Sequence, residues 1–595
     1  MLCTNMSRKS CLYDCTLIKK QLACAGCFFF HTEITHFFNF FATFKSYNFY
    51  RHIKRKGEKA MGKNVVKYSL AFVLVLSVIL SVYSLYHYSG STEGFRRNFQ
   101  HSFTQGSTNG SWGSGNTNQG VWQRSNPPQG NGQSGQSQWQ MPRSRGDFGG
   151  FRGTSSKYGV YIMAYSAIVF LLFILSYYAL KNKKLKLDFQ NDKFIIVALF
   201  LIGFFMRLYI AATIEGFSGD IGLFRSWAQS ASQNLLDFYK NTPSCDYPPL
   251  YIYALYLIGK IASIGNLSHY YNVILKLPSI LADIASSYII YKIAKKHFTK
   301  NVSAFISALY IFNPAVFINS SAWGQVDSFF TLLIIAAVYF LSEKKIGLSS
   351  AFFTAAVLMK PQGIIFAPVL LFELINERSL KSFLKAIALS ALTALLVIIP
   401  FSIGQDPMWI LNLYAKTISE YPYASVNGFN FFALLGANYV NDSSTLLIFS
   451  YSVWGFIFIV LTTAFSWFTY IKIKNSNFAF VSALIQIAGV FTFSTGMHER
   501  YLFPAVALAI LAFLYIKDIR LLGLFIGFSV TSYLNMYYVL FTNLGMSFGF
   551  VPMMISLLNV VLTIYLAKVA YDIAVLNKVY SFDEYAESHK IHTNI

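Results

Sequence analysis

Residues 192–214 read DKFIIVALFLIGFFMRLYIAATI. A helix needs about 20 apolar residues to cross the hydrocarbon core of a bilayer, and this run supplies them. Comparable runs lie near 67–87, 158–181, 271–294, 301–320, 325–342, 346–359, 362–376, 382–403, 444–472, 477–496, 500–516, 519–540 and 551–573, fourteen in all, with 346–359 and 362–376 short for a full crossing. The 595-residue chain is 55% hydrophobic and 18% aromatic, and only 12% of it is charged. Soluble domains carry about 25% charged residues, so a soluble protein, a coiled coil and a disordered chain are excluded. The expected fold is an all-α polytopic membrane protein.

Sidedness follows from the basic residues. The sequence has 48 Lys and Arg against 25 Asp and Glu, a formal charge of +23. No basic stripe lies on a soluble domain, so nucleic acid is not an expected partner. Polytopic proteins keep Lys and Arg in short cytoplasmic loops. One orientation puts Lys181 to Lys186, Lys292 to Lys296, Lys344 and Lys345, Arg378 and Lys381, Lys472 and Lys474, and Lys517 and Arg520 inside, with both termini. In that orientation 248–264 cannot cross without reversing every later loop. It reads instead as an amphipathic helix on the outer interface, as does 221–239 before it.

Five of the six cysteines lie in the first 27 residues, so no disulfide framework or metal-ligand spacing emerges. Lys56-Gly57-Glu58 is what a purine-rich ribosome-binding site encodes when read in frame. Translation is therefore expected to start at Met61, with 1–60 an extension; the alternative is a genuine basic cytoplasmic tail. The expected organisation continues with a first transmembrane helix at 61–88 and a flexible outer insert at 89–157, rich in Gly, Ser, Gln and Asn. A transmembrane domain follows over 158–576, and a cytoplasmic tail over 577–595.

The unusual polar residues then sort to the outer loops. These hold Gly219-Asp220, Arg225, Trp227, Asp246-Tyr247-Pro248-Pro249, Trp323 to Asp327 with Gln325, Lys360-Pro361-Gln362, and His498-Glu499-Arg500-Tyr501. Asp220, at the outer mouth of the membrane, is either a general base or the cap of the helix after it. Arg500, Lys360 and His498 suit a phosphate, although Lys360 could be a turn residue and the His-Glu-Arg run a helix end. That run lacks the second His of a zinc signature. Asp246 and Tyr247 suit sugar hydroxyls. Trp323, Gln325 and Asp327 suit a sugar face, though Trp323 fits the interfacial belt equally well. Asp283, inside span 271–294, is the residue that best supports a rival reading as a transporter or lipid flippase.

In order and in shared face, these motifs resemble the GT-C glycosyltransferases. The closest likeness is to bacterial mannosyltransferase-like proteins related to the second mannosyltransferase of GPI-anchor synthesis, and to the glucosyltransferases of lipid-linked oligosaccharide assembly. The resemblance covers about 158–573 and rests on Gly219-Asp220 with Arg225 and Trp227, Asp246 to Leu250, Trp323 to Asp327, Lys360 to Gln362 and Met497 to Tyr501. It implies a bacterial plasma-membrane enzyme that moves mannose or glucose from a polyprenyl-phosphate carrier to an extracytoplasmic glycan, lipid or protein. The reaction would be inverting, with Asp220 as base. This chemistry needs no metal cofactor, and a divalent ion is compatible with it. The other reading within the fold is a non-catalytic envelope glycan assembly protein. The span at 67–87 and the Gly-rich insert depart from the pattern.

Overall fold

The structure is a computed structural model that describes residues 58–88, 156–181, 193–542 and 549–581. The chain falls into two units, 1–69 and 70–595. Of the first, only the opening of a helix from Glu58 is described. The expectations for 1–57, for 89–155 and for the tail beyond 581 lie outside the described residues.

The helices are α1 (Glu58–Tyr86), α2 (Ser156–Lys181), α3 (Lys193–Thr213), α4 (Ser218–Gln233), α5 (Pro249–Ala262), α6 (Tyr271–Ala294), α7 (Lys300–Ile311), α8 (Asp327–Ser342), α9 (Ile346–Met359), α10 (Ala367–Glu377), α11 (Leu380–Ser402), α12 (Trp409–Ser419), α13 (Tyr451–Ile473), α14 (Ala479–Phe493), α15 (Pro504–Ile516), α16 (Ile519–Phe541) and α17 (Phe550–Ala574). A single two-stranded hairpin, β1 (Thr445–Leu446) and β2 (Phe449–Ser450), precedes α13 among the described residues. This is an all-α polytopic membrane protein, as composition predicts.

The expected fourteen crossings are too many. Among the described residues nine helices are long and apolar enough to span, or ten if a bent pair is one span. That pair is α7 with Pro314–Trp323, which meet at 44°. The break has a local cause. Asn313 accepts a hydrogen bond from the Ala315 amide, 3.0 Å, and Pro314 starts the new helix, where its missing N–H costs nothing. The runs at 325–342, 346–359 and 500–516 become helices of 16, 14 and 13 residues. At 1.5 Å per residue, 14 residues reach about 21 Å, short of the ~30 Å core. The run at 362–376 divides into a 3₁₀ turn, Pro361–Phe366, and α10. Hydropathy cannot separate such helices from true crossings. In α15 the residues from Pro504 to Leu514 are all buried inside the protein, which requires the same apolar composition as facing lipid.

The helices expected at 221–239 and 248–264 exist as α4 and α5, which pack on one another with seven residues of α5 buried. Asp283 of α6 forms a fully buried ion pair with Arg207 of α3, 2.8 Å, and accepts a hydrogen bond from Ser320, 2.6 Å. Lys276 of α6 donates to the carbonyl of Ile214, 2.5 Å, at the C-terminal end of α3, where a cation suits the helix dipole.

Candidate active site

Chain segments far apart in sequence meet at one end of the bundle. They are the start of α4, the loop before α5, the break between α9 and α10, the end of α12 and the loop after α14. Between them lies a cavity of about 90 Å³ whose polar wall includes Asp220, Asp246, Lys360, Gln362, His498 and Arg500. At the far end of α6 and α8, Lys296 pairs with Glu343, 2.7 Å, close to Lys344 and Lys345.

Asp220 is the third residue of α4, and the residue before that helix, Phe217, makes no side-chain cap. The capping alternative therefore does not describe it. Its carboxylate instead accepts a hydrogen bond from the Trp323 indole N–H, 2.6 Å. Trp323 is 1% exposed and packs against Phe217 with ring centroids 5.3 Å apart, so it is neither an open sugar platform nor a belt residue. Its turn is built for this contact. Residues 318–323 wind as a π-helix, a form that concentrates at functional sites. The turn ends at Gly324 with φ +88°, and the Phe217 amide donates to the Trp323 carbonyl, 3.1 Å. Gly216, at φ +107°, approaches that carbonyl so closely that a Cβ would sit 2.6 Å from it. Removing the indole N–H with Trp323→Phe should lower turnover about tenfold, the effect of one hydrogen bond to a charged group. Donor affinity, measured by equilibrium binding, should hardly move.

Asp327 anchors the cations. It accepts from Lys360 Nζ at 2.5 Å and from Asn319 at 3.0 Å, and Arg500 Nε lies 3.8 Å away. Arg500 also bridges to Glu499, 2.5 Å. Burial pulls the Arg500 pKa down, but Glu499, Asp220 and Asp327 outweigh it and hold the guanidinium charged. Burial lowers Lys360, opposed by Asp327. Burial raises Asp246 and Glu499, and Arg500 counters both. Burial, with Arg500 and Lys360 nearby, holds His498 well below the usual imidazole range. His498 is thus a neutral hydrogen-bonding group rather than a third cation. It packs between Tyr421, 4.6 Å, and Tyr501, 4.9 Å. The pH–rate profile should therefore show no step near the ordinary histidine value of about 6.5. The alkaline limb, where Lys360 loses its proton, should fall earlier than for an ordinary lysine. Steady-state rates in wild type and Lys360→Arg would check both points.

The other expected residues divide. Trp227, Tyr247, Gln362 and Tyr501 line the cavity. Trp227 and Tyr247 pack together at 5.4 Å, and Lys360 Nζ stands 5.7 Å from the Tyr247 ring. Arg225 is not in the wall; its guanidinium lies over the Tyr271 ring at 4.9 Å. Gln325 is fully buried in the turn, its carbonyl accepting from Ser279, 2.7 Å. Asp327 and Glu499 stand behind the wall and hold its cations. Sequence reading missed Thr417 and Tyr421, which complete the wall from the end of α12. Thr417 Oγ1 lies 2.9 Å from the Asp246 carbonyl. Their only signal is an aromatic cluster, Tyr421-Pro422-Tyr423, in a loop on the same face. Among the described residues no group of three or more His, Cys, Asp and Glu side chains is placed to hold a metal ion.

Residues 246–403, about a quarter of the chain, match the family model of dolichyl-phosphate-mannose-protein mannosyltransferases. The match opens on Asp246 and takes in Asp327 and Lys360. It supports a membrane glycosyltransferase of GT-C type that draws on a polyprenyl-phosphate sugar. No curated protein matches the chain.

Proposed function

We propose that the protein transfers a hexose, mannose or glucose, from a polyprenyl-phosphate carrier to a hydroxyl-bearing acceptor on the outer face of a bacterial plasma membrane. The acceptor is a glycan, lipid or protein. The observation that carries this reading is the shared cavity, whose wall brings a carboxylate held by an indole together with two carboxylate-braced cations.

In the proposed reaction the acceptor oxygen bonds to the anomeric carbon as the bond from that carbon to the phosphate oxygen breaks. Asp220 takes the acceptor proton. Arg500 and Lys360 stabilise the charge that collects on the departing lipid phosphate. The anomeric centre inverts. Asp327 does not suit the role of base, since its oxygens already accept from Lys360 and Asn319. The transporter reading loses its best residue, because Asp283 is closed in an ion pair with Arg207.

The test is direct. Purified protein in lipid is given polyprenyl-phosphate mannose or glucose, labelled in the sugar, together with envelope extract. Release of the free polyprenyl phosphate with label in a new product supports the reading. Label that changes leaflet without leaving its carrier overturns it in favour of a flippase.

A further inference from the structure

The hairpin β1–β2 has an unusual tip. Leu446 pairs with Phe449, so the turn is the two residues Leu447 and Ile448. Two-residue hairpin turns take Asn-Gly or glycine because the first central residue, or both, must have positive φ. Here Leu447 holds φ +62°, while Ile448 is not among the residues with positive φ. A branched side chain thus occupies a glycine position. It is not kept there by packing, since Leu447 is 86% and Ile448 74% exposed. Turn geometry and water both disfavour these two residues.

The hairpin's neighbours indicate its depth. It leads directly into α13, a 23-residue spanning helix. Trp454, in the first turn of that helix, donates its indole N–H to the Leu446 carbonyl, 2.9 Å, and packs against Phe449 at 5.4 Å. Tryptophans at the ends of spanning helices sit at headgroup level. A hydrogen bond from that indole holds the hairpin at the same level. Near its other end the same loop contributes Tyr421 to the cavity wall, and the Val426 amide donates to the Met497 carbonyl, 3.0 Å, next in sequence to His498.

We propose that Leu447 and Ile448 insert into the interfacial region of the bilayer and anchor the 420–450 loop to the lipid surface on the cavity's face. Their partner is lipid, at the junction of headgroups and acyl chains. The strained turn is retained because a glycine would have nothing to insert.

This proposal is independent of the transferase reading, and its test does not measure transfer. The full chain carries an environment-sensitive fluorophore at Ile448→Cys or at Ser443→Cys, with the labelled unsubstituted protein as blank. It is placed in nanodiscs of phosphatidylcholine whose acyl chains bear bromine. The label at 448 should be quenched several-fold more by the brominated lipid than the label at 443, and shielded from aqueous iodide. Equal quenching at the two positions would overturn the proposal, as would a cross-link between two copies through 448. A second variant, Leu447→Gly with Ile448→Ser, suits the turn better and removes the anchor. It should keep thermal stability, and a label at Ser443→Cys in that background should become more accessible to iodide. Unchanged accessibility there would also overturn the proposal.

Discussion

Asp220→Asn should lower turnover by at least about 10²-fold, the smaller end of what a positioned general base contributes. The amide keeps the shape of the carboxylate and can still accept from Trp323, whose indole lies 2.6 Å from it. Expression and melting temperature should therefore hardly change. Binding of the lipid-phosphate sugar should survive, because its phosphate is assigned to Arg500 and Lys360. Arg500→Ala should reverse the pattern and weaken donor binding as well as turnover. It also strips Glu499 of its cation at 2.5 Å, so some stability should be lost with it. Equilibrium binding and single-turnover rates on the two variants separate a base from a phosphate clamp. An Asp220→Asn protein that transfers normally would redirect the search to Asp246, which lines the same cavity.

The second large effect concerns stability. Arg207→Ala leaves Asp283 buried without its partner, both side chains being fully enclosed. Breaking a buried pair by removing one member costs about 3–5 kcal/mol, because the remaining charge has no solvent. Replacing both, as Arg207→Met with Asp283→Leu, should cost much less, since two apolar residues need no partner. Melting temperatures of the single and double variants in detergent would show it. A double variant that kept its stability and its transfer activity would identify the pair as structural. A double variant that was stable but inactive would assign the pair a part in the reaction.

The class of fold was legible because a chain this apolar has few alternatives. The number of crossings was not, because the interior of a helical bundle and the interior of a bilayer select the same side chains; α15 is the clearest case. Much of the candidate site was legible for the opposite reason. In a background with so few charges, Asp220, Asp246, Lys360 and Arg500 stand out, and the charge rule alone assigns them to one face. What sequence could not supply is direction. Trp323 was recognised as notable, but an indole can offer its face or its N–H, and only the π-turn decides which. Arg225 sits two residues before Trp227, yet it points to Tyr271 and away from the cavity. Asp283 was suspected without its partner, because nothing in the spacing ties it to Arg207.

Arg207 and Asp283 are 76 residues apart in the chain. Synthesis proceeds at about 5–20 residues per second, so α3 emerges roughly 4–15 s before its counter-charge does. For that interval a lone arginine sits in the C-terminal third of a helix seeking the membrane, six residues from its end, where the cost is below the about 2.5–3.5 kcal/mol that insertion scales assign to a helix centre. The apolar residues around it, from Phe194 to Ile214, have to carry the helix in unaided. A ribosome stalled between the two positions would leave a chain with an unsatisfied cation in lipid, so the pair is closed only in a molecule whose synthesis has passed Asp283.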